Sequence, residues 1–527
     1  MKTLIGIFTV AFVLSCPDLF GQAIGEKLSQ AAQAIILDTT YLGVGIRVPV
    51  SGLHDSAMSW ACNDETAVID DESEKDVKNR IWIRVKRPKE GVKNVVITAQ
   101  VSIGEKSVSR DFNVPIACGY AQDLTGRNKV KVIAENMVYE DPVFDGAADP
   151  TLVYNRKTKE WWIVYTQRRA AVDWESGVSW VYGSEIGLAR SPDGGTTWEY
   201  IGTAQGLALG KTPRDTYWAP EIVYNDGIYH MYLSYVTGVH SRWGGTATIE
   251  HYTSNDLVNW THQSSVPGQP SSGIIDPCIF RLRDGRYAMW FKAPGSQTYI
   301  SFSDDLYKWG PSANINIGGN QEAPNVFFWN GKYRMLLDNA QRLTLYSSED
   351  GIYWPMGSKT DIGGQHCDVV TQGGENGEAI FLYFAENYNT PSGNGNKTAL
   401  YLNKLVERDD GTVWCDHEAI YKYNLRAPEI RKIALKAYPS KTTFETGQIL
   451  DFTGLELSVN FADSMHDTLK PVTREDFEEY AISSSIAPGS KLKKGDTDIV
   501  LSTAYGGSVT IPITVTDVPE KAINSNK

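Results

Sequence analysis

Short runs of alternating apolar and polar residues, broken by clusters of Gly, Asp, Asn and Ser, dominate the chain, as in Ile81-Trp82-Ile83-Arg84-Val85 and Val95-Val96-Ile97-Thr98-Ala99-Gln100-Val101. A period of two predicts strands. No long helical pattern interrupts residues 128 to 430, where a repeat emerges instead. A Ser-x-Asp turn is followed six or seven residues after its serine by tryptophan, at Ser191/Trp198, Ser254/Trp260, Ser303/Trp309 and Ser348/Trp354. Ahead of the last three tryptophans, two β-rich runs flank Asp226-Gly227, Asp284-Gly285 and Asn330-Gly331. Such pairs suit a two-residue hairpin, because both central positions tolerate φ > 0.

Each unit therefore reads as a meander of about four strands over about 45 to 70 residues, which is the blade of a β-propeller. Candidate innermost strands begin near Asp149, Glu221, Asp276, Glu322 and His366, giving five blades. The fifth, from Asp368 to about Trp414, lacks the serine and tryptophan mark. The whole is all-β: a five-bladed β-propeller over 126–430 flanked by two small sandwiches, at 24–125 and 431–527. Both flanks resemble bacterial immunoglobulin-like modules, the second through Leu450-Asp451-Phe452-Thr453-Gly454-Leu455. The expected role of such modules is to space or dock a neighbour. The four repeat tryptophans are expected to pack the blades.

Charge and cysteine content narrow the function. A formal net charge of -13, without a long basic run, argues against a nucleic-acid partner. The start of the chain has the form of an export signal, with Lys2, the apolar run Leu4 to Leu14 and a small-residue exit at Gly21-Gln22-Ala23, so 1–23 is expected to be removed. A lipid anchor at Cys16 is the competing reading. No later apolar stretch is long enough to span a membrane. The expected location is secreted, periplasmic or at the outer cell surface. Cys62, Cys118, Cys278, Cys367 and Cys415 show no zinc-ligand spacing; Cys62 and Cys118 could pair, or all could be buried thiols.

The start of each innermost strand lies at one mouth of a propeller channel, so residues distant in sequence converge there. In order these are Asp149-Pro150, Trp218-Ala219-Pro220-Glu221, Asp276-Pro277, Glu322-Ala323-Pro324 and His366. Proline at a strand start fixes φ and removes a donor that would go unpaired. Hydrolysis of an acetal with inversion needs a protonated carboxyl on one face and a water-activating carboxylate on the other, about 6.5–9.5 Å apart. A third acid nearby separates their pKa values.

These motifs, over roughly 140 to 415, resemble glycoside hydrolase family 43 and its clan relatives, including family 117. The resemblance implies Asp149 as general base, Asp276 as the residue that tunes the acid and orients substrate, and Glu322 as general acid. The family's WAPD motif stands here as Trp218 to Glu221 with Glu in place of Asp, which suggests a secondary or structural part for Glu221. For His366 the resemblance implies either water-mediated calcium or a share in acid catalysis. No cofactor is expected to be required. Trp218, Glu221, His366 and Arg168 are the candidate substrate contacts, with Trp174, Trp290 and Arg169 as further sugar-binding candidates. Arg168 and Arg169 could read a carboxylate or sulfate, or form a solvated pair.

The expected partner is a plant or algal poly- or oligosaccharide, such as an arabinofuranoside or xyloside. Two alternatives remain at this stage. A retaining fructan-type hydrolase uses a related propeller, but its NDPNG-type motif is replaced by Ala147-Ala148-Asp149-Pro150-Thr151. A propeller that binds glycan without cutting it would not need all three acids.

Overall fold

The computed structural model describes residues 17–35, 45–117 and 137–517, apart from 66, 71–79, 86–91, 171–176, 213, 267–272, 340–342, 356–359, 375–376, 387–395, 416–422 and 464. The apolar leader up to Cys16, Cys118 and Trp174 lie outside the described residues. So the expectations of export, lipid anchoring and a Cys62–Cys118 pair are not addressed by it. A helix covers Pro17–Gln33, across the expected cleavage point. Among the described residues no helix is long and apolar enough to cross a membrane.

The chain divides into two compact units, Met1–Lys129 and Val130–Lys527. In the first, two three-stranded antiparallel sheets share one core. Alternation explains it: Ile81 and Ile83 of one sheet and Val95, Ile97, Ala99 and Val101 of the other are buried. Arg110 ties the helix to this body by donating to the carbonyls of Ala32, Gln33 and Ile35.

The second unit holds five blades, each with four consecutive antiparallel strands; later strands widen the blade-two sheet to seven, and a preceding strand widens the blade-five sheet to five. Their innermost strands are Ala147–Asn155, Thr216–Asn225, Ile275–Arg281, Glu322–Trp329 and Gln365–Gln372. Each touches the next, and the last touches the first, so the blades close into a ring. This is the expected five-bladed propeller. Closure is stitched by Met137–Glu140, which precedes blade one yet pairs with the third strand of blade five at Ala399↔Glu140 and Leu400↔Tyr139.

The repeat has a physical basis. Ser191, Ser254, Ser303 and Ser348 each donate to the Asp two residues on and accept an amide of the same turn. The tryptophans beyond are buried, as expected for blade packing. Asp226-Gly227 and Asn330-Gly331 both take positive φ, as the hairpin demands. Asp284-Gly285 differs: only Gly285 has positive φ, and the turn is widened, with the Leu282 amide donating to the Arg286 carbonyl.

The C-terminal strands pack directly on the far ends of the blades and share their largest apolar core. His466–Leu469 extends the blade-two sheet, with Asn225 beside His466. Arg156 is held between the rings of Tyr224 and Phe461, 4.4 Å from each centroid, and pairs with Asp463 at 3.1 Å. A shared core and a largely buried ion pair seat this module against the blades, where the sequence left spacing and docking both open.

Candidate active site

One local device recurs at the mouth of every blade. The pairing of the first two strands slips at Ala148/Thr151, Trp218/Glu221, Ile275/Cys278, Glu322/Asn325 and Gln365/Cys367. At each slip one non-glycine residue takes positive φ: Asp149 at 48°, Ala219 at 45°, Asp276 at 57°, Ala323 at 49° and His366 at 21°. Four of them precede proline, which ordinarily pushes its neighbour toward extended backbone. Such a conformation costs on the order of 1–3 kcal/mol and persists only where surroundings over-determine it. At three of the five the preceding blade helps by capturing the freed amide. Ala219 N–H donates to Thr166 Oγ1, Asp276 N–H to Ser234 Oγ and His366 N–H to Asp338 Oδ2, at 2.8, 2.9 and 3.4 Å.

Blade four breaks this rule, and the break builds the site. Thr166, Ser234 and Asp338 pair with Ala148, Trp218 and Glu322, and the corresponding partner of Ile275 is Lys292. An ammonium cannot accept. The Ala323 amide donates instead to Asp276 Oδ2 at 3.1 Å, and Lys292 turns its ammonium to the Glu322 carboxylate. A single change of residue type thus sets Asp276 beside the backbone of Glu322 and gives Glu322 a cationic partner.

The bulges also correct the sequence alignment of the five blades. Asp149, Ala219, Asp276, Ala323 and His366 are equivalent; Glu322 stands one residue before its bulge and Glu221 two residues after its own. Glu221 therefore belongs to a deeper layer with Thr151, Cys278, Asn325 and Asp368. There its carboxyl accepts the Ile279 amide at 2.8 Å, while Asp368 accepts the Leu152 amide and the Asn325 side chain. Burial and the nearby Asp368 push the Glu221 carboxyl far up. Glu221 is an inter-blade strut, and the expectation of a substrate contact is corrected.

At the mouth, Asp149 is buried and receives Arg168 Nη2 at 3.0 and 3.3 Å, with His366 Nδ1 at 3.4 Å from Oδ1. Burial alone would raise its pKa, yet Arg168 and His366 hold it well below the usual carboxylate range. Arg168 is itself fixed by lying 4.7 Å from the Phe384 ring centroid. It is neither a solvated cation nor idle. Asp276 goes the other way: burial drives it up to about 6, and the charges of Glu322 and Asp149 add to the rise although His366 opposes it. Burial disfavours the His366 imidazolium, but Asp149, Asp276 and Asp338 outweigh it and raise the His366 pKa. Glu322 is exposed at the mouth.

Trp218 stands at the position equivalent to Glu322 in blade two, its Nε1–H donating to the Val181 carbonyl at 2.7 Å. Its ring lies 5.0 Å from Tyr182 and 6.4 Å from the exposed Trp243, making an aromatic wall. Trp290 is fully buried, and Arg169 is buried and donates to the Tyr182 carbonyl, so neither meets a sugar. The resemblance's calcium fits poorly here. A hard cation takes six to eight oxygens, whereas among the described residues no cluster of three or more His, Cys, Asp and Glu side chains could hold a metal ion, and Asp149 beside His366 is already paired with Arg168.

No family model matches the chain. Probable arabinan endo-1,5-α-L-arabinosidase A of Aspergillus fumigatus is 26% identical over 179 residues, which is 33% of this chain and 45% of that protein. The Neosartorya fischeri counterpart is 25% identical over 179 residues, again 33% and 45%. The chain thus spans less than half the length of the curated relatives it matches. Among solved structures, a thermostable family-43 glycoside hydrolase aligns with TM-score 0.41 and 17% identity, over 53% of this chain and 96% of that one. A family 43 β-1,3-galactosidase aligns with TM-score 0.43 and 16% identity, over 54% and 98%. An exo-1,5-α-L-arabinanase from a bovine ruminal metagenomic library gives 0.39 and 16%, over 52% and 97%. The chain resembles family 43 glycoside hydrolases. Beside the three acids singled out in the sequence, the mouth uses Lys292, Thr166, Ser234 and Asp338, which sequence reading missed. Their only signal was a register: each lies opposite the residue just before a bulge.

Proposed function

We propose that the chain is a glycoside hydrolase acting on a plant polysaccharide, with Asp149 as general base, Glu322 as general acid and Asp276 between them. The observation that carries this reading is the opposed treatment of two buried carboxyls at one mouth. Asp149 is clamped in its ionised form by Arg168 and His366, as a base that activates water must be, and Asp276 is pushed to about 6 beside the Glu322 backbone. Neighbouring acids with separated pKa values are the signature of acid and base division of labour.

In this mechanism Asp149 takes a proton from water as its oxygen attacks the anomeric carbon, and Glu322 gives its proton to the departing glycosidic oxygen. Lys292 is the cation that faces the Glu322 carboxyl in the free site. Asp276 is kept beside the Glu322 backbone by the Ala323 amide. Attack from the face opposite the leaving group inverts the anomeric centre, which needs the longer carboxyl separation of about 6.5–9.5 Å. The similarity to arabinanases favours an α-linked arabinofuranoside chain as the first substrate to try. The apolar leader supports action outside the cytoplasm.

The test is sugar release from a panel of arabinans, xylans and galactans, with Glu322→Gln and Asp149→Asn in parallel and the anomer of the fresh product read by proton NMR. Each substitution is expected to lower the rate by about 10²–10⁴, the contribution of a positioned acid or base. Release that survives both substitutions would refute the assignment, and a retained anomer would refute inversion.

A further inference from the structure

Away from the mouth, at the far ends of blades three and four, the propeller and the C-terminal module enclose an open cavity of about 290 Å³. Four of its ten lining residues are cationic, Arg281, Arg283, Arg431 and Lys432, and none is acidic. In a chain whose formal net charge is -13, this is a local inversion of sign. Cations gathered in a concave, partly apolar site focus field on an anion that enters.

Aromatic rings and neutral acceptors meet three of the cations. The guanidinium of Arg283 lies 4.0 Å and that of Arg431 5.3 Å from the Phe328 ring centroid. Arg281 donates through Nε to the Gly285 carbonyl and through Nη1 to Asn460 Oδ1. Arg283 and Arg431 keep further partners, but a guanidinium has five N–H donors and one partner does not exhaust it. The same cavity presents neutral polar groups and apolar surface. The Asn460 amide nitrogen and the Tyr333 hydroxyl, which already accepts the Arg283 backbone amide at 2.9 Å, line it as neutral polar groups, and Phe461, whose ring also holds Arg156, contributes apolar lining.

We propose that this junction is a second, non-catalytic binding site for a sugar residue bearing an oxyanion, either a carboxylate or a sulfate. The guanidiniums match a planar or tetrahedral oxyanion with paired hydrogen bonds. A volume near the lower limit of small-molecule pockets, about 300 Å³, suits one sugar unit and exceeds a bare oxyanion. Because one wall is the C-terminal module, this site gives that module a function beyond supporting the blades. It is independent of how the mouth is read.

Calorimetry on the full chain tests the proposal, in a Glu322→Gln background so that turnover does not intrude. The probes are tetragalacturonate, a sulfated galactose tetramer, the neutral galactose tetramer and sodium sulfate. At least one acidic tetramer is expected to bind, at least tenfold more tightly than the neutral one and than sulfate. Arg283→Gln with Lys432→Gln, both at exposed positions, is expected to weaken that binding at least tenfold while the melting temperature holds. Binding unchanged in the double variant, equal binding of the neutral tetramer, sulfate binding as tightly as either sugar, or no binding of either acidic tetramer would each overturn it.

Discussion

Replacing Arg168 by methionine removes the guanidinium that holds Asp149 but keeps an unbranched stem over Phe384. Both members of the pair are largely buried, with side chains 17% and 7% exposed. Breaking a buried pair by deleting one partner costs about 3–5 kcal/mol, because the other charge stays desolvated. The propeller unit runs from Val130 to Lys527, and an unfolding entropy near 2.1 cal/mol/K per residue makes this loss worth about 4–6 °C of melting temperature. The sign with pH follows from the depressed pKa of Asp149. Its contribution is present above the unfolded carboxyl value near 4 and lost only as pH falls through the lower folded value, so the deficit is expected throughout pH 5 to 8. Adding Asp149→Asn removes the orphaned charge and is expected to return at least half of the loss. Thermal scans of wild type, both single variants and the double variant close the cycle. A single variant within 1 °C of wild type, or losses that simply add, would refute the view that the pair is a coupled buried clamp.

Three other outcomes follow from the same geometry. Asp276, at about 6, is expected to set the acid limb of the pH–rate profile on the cleaved glycan, with activity rising through that pH; Asp276→Asn is expected to lower activity about 10²-fold and abolish the limb, and a limb that persists unchanged counts against it. Burial pushes the Glu221 carboxyl toward its neutral form, so Glu221→Gln is expected to shift the melting temperature by less than about 1 °C, whereas Glu221→Ala, which strands the Ile279 amide, is expected to cost about 1–3 kcal/mol in denaturant titration. Burial holds His230 and His251 neutral, with pKa values lowered to about 4 and about 3, and their rings bond at 3.0 Å. Since the unfolded chain takes up protons first, stability is expected to fall as pH drops from about 6.5 toward 4, and His251→Phe, which preserves the stack on Tyr232, is expected to flatten that slope in pH-dependent melts.

Much of this was written in local pattern. Alternation marks the strands, the serine and aspartate turns with their tryptophans mark the blades, and Asp149, Asp276 and Glu322 stand out as acids one or two residues before a proline at the start of an innermost strand. These features depend on contacts within about a dozen residues, so a linear reading captures them. The three-dimensional fold decided the rest. Whether Glu221 faces the mouth or a neighbouring blade depends on a bulge, which moves a side chain by one layer without changing the hydrophobic pattern. Arg168 is a clamp because the second strand of blade one carries it to the mouth, and His366 reaches Asp149 only because the ring closes between blades five and one. The sequence by itself determined which groups could do chemistry; tertiary structure decided their charge states, since desolvation and pairing across blades act between residues hundreds of positions apart.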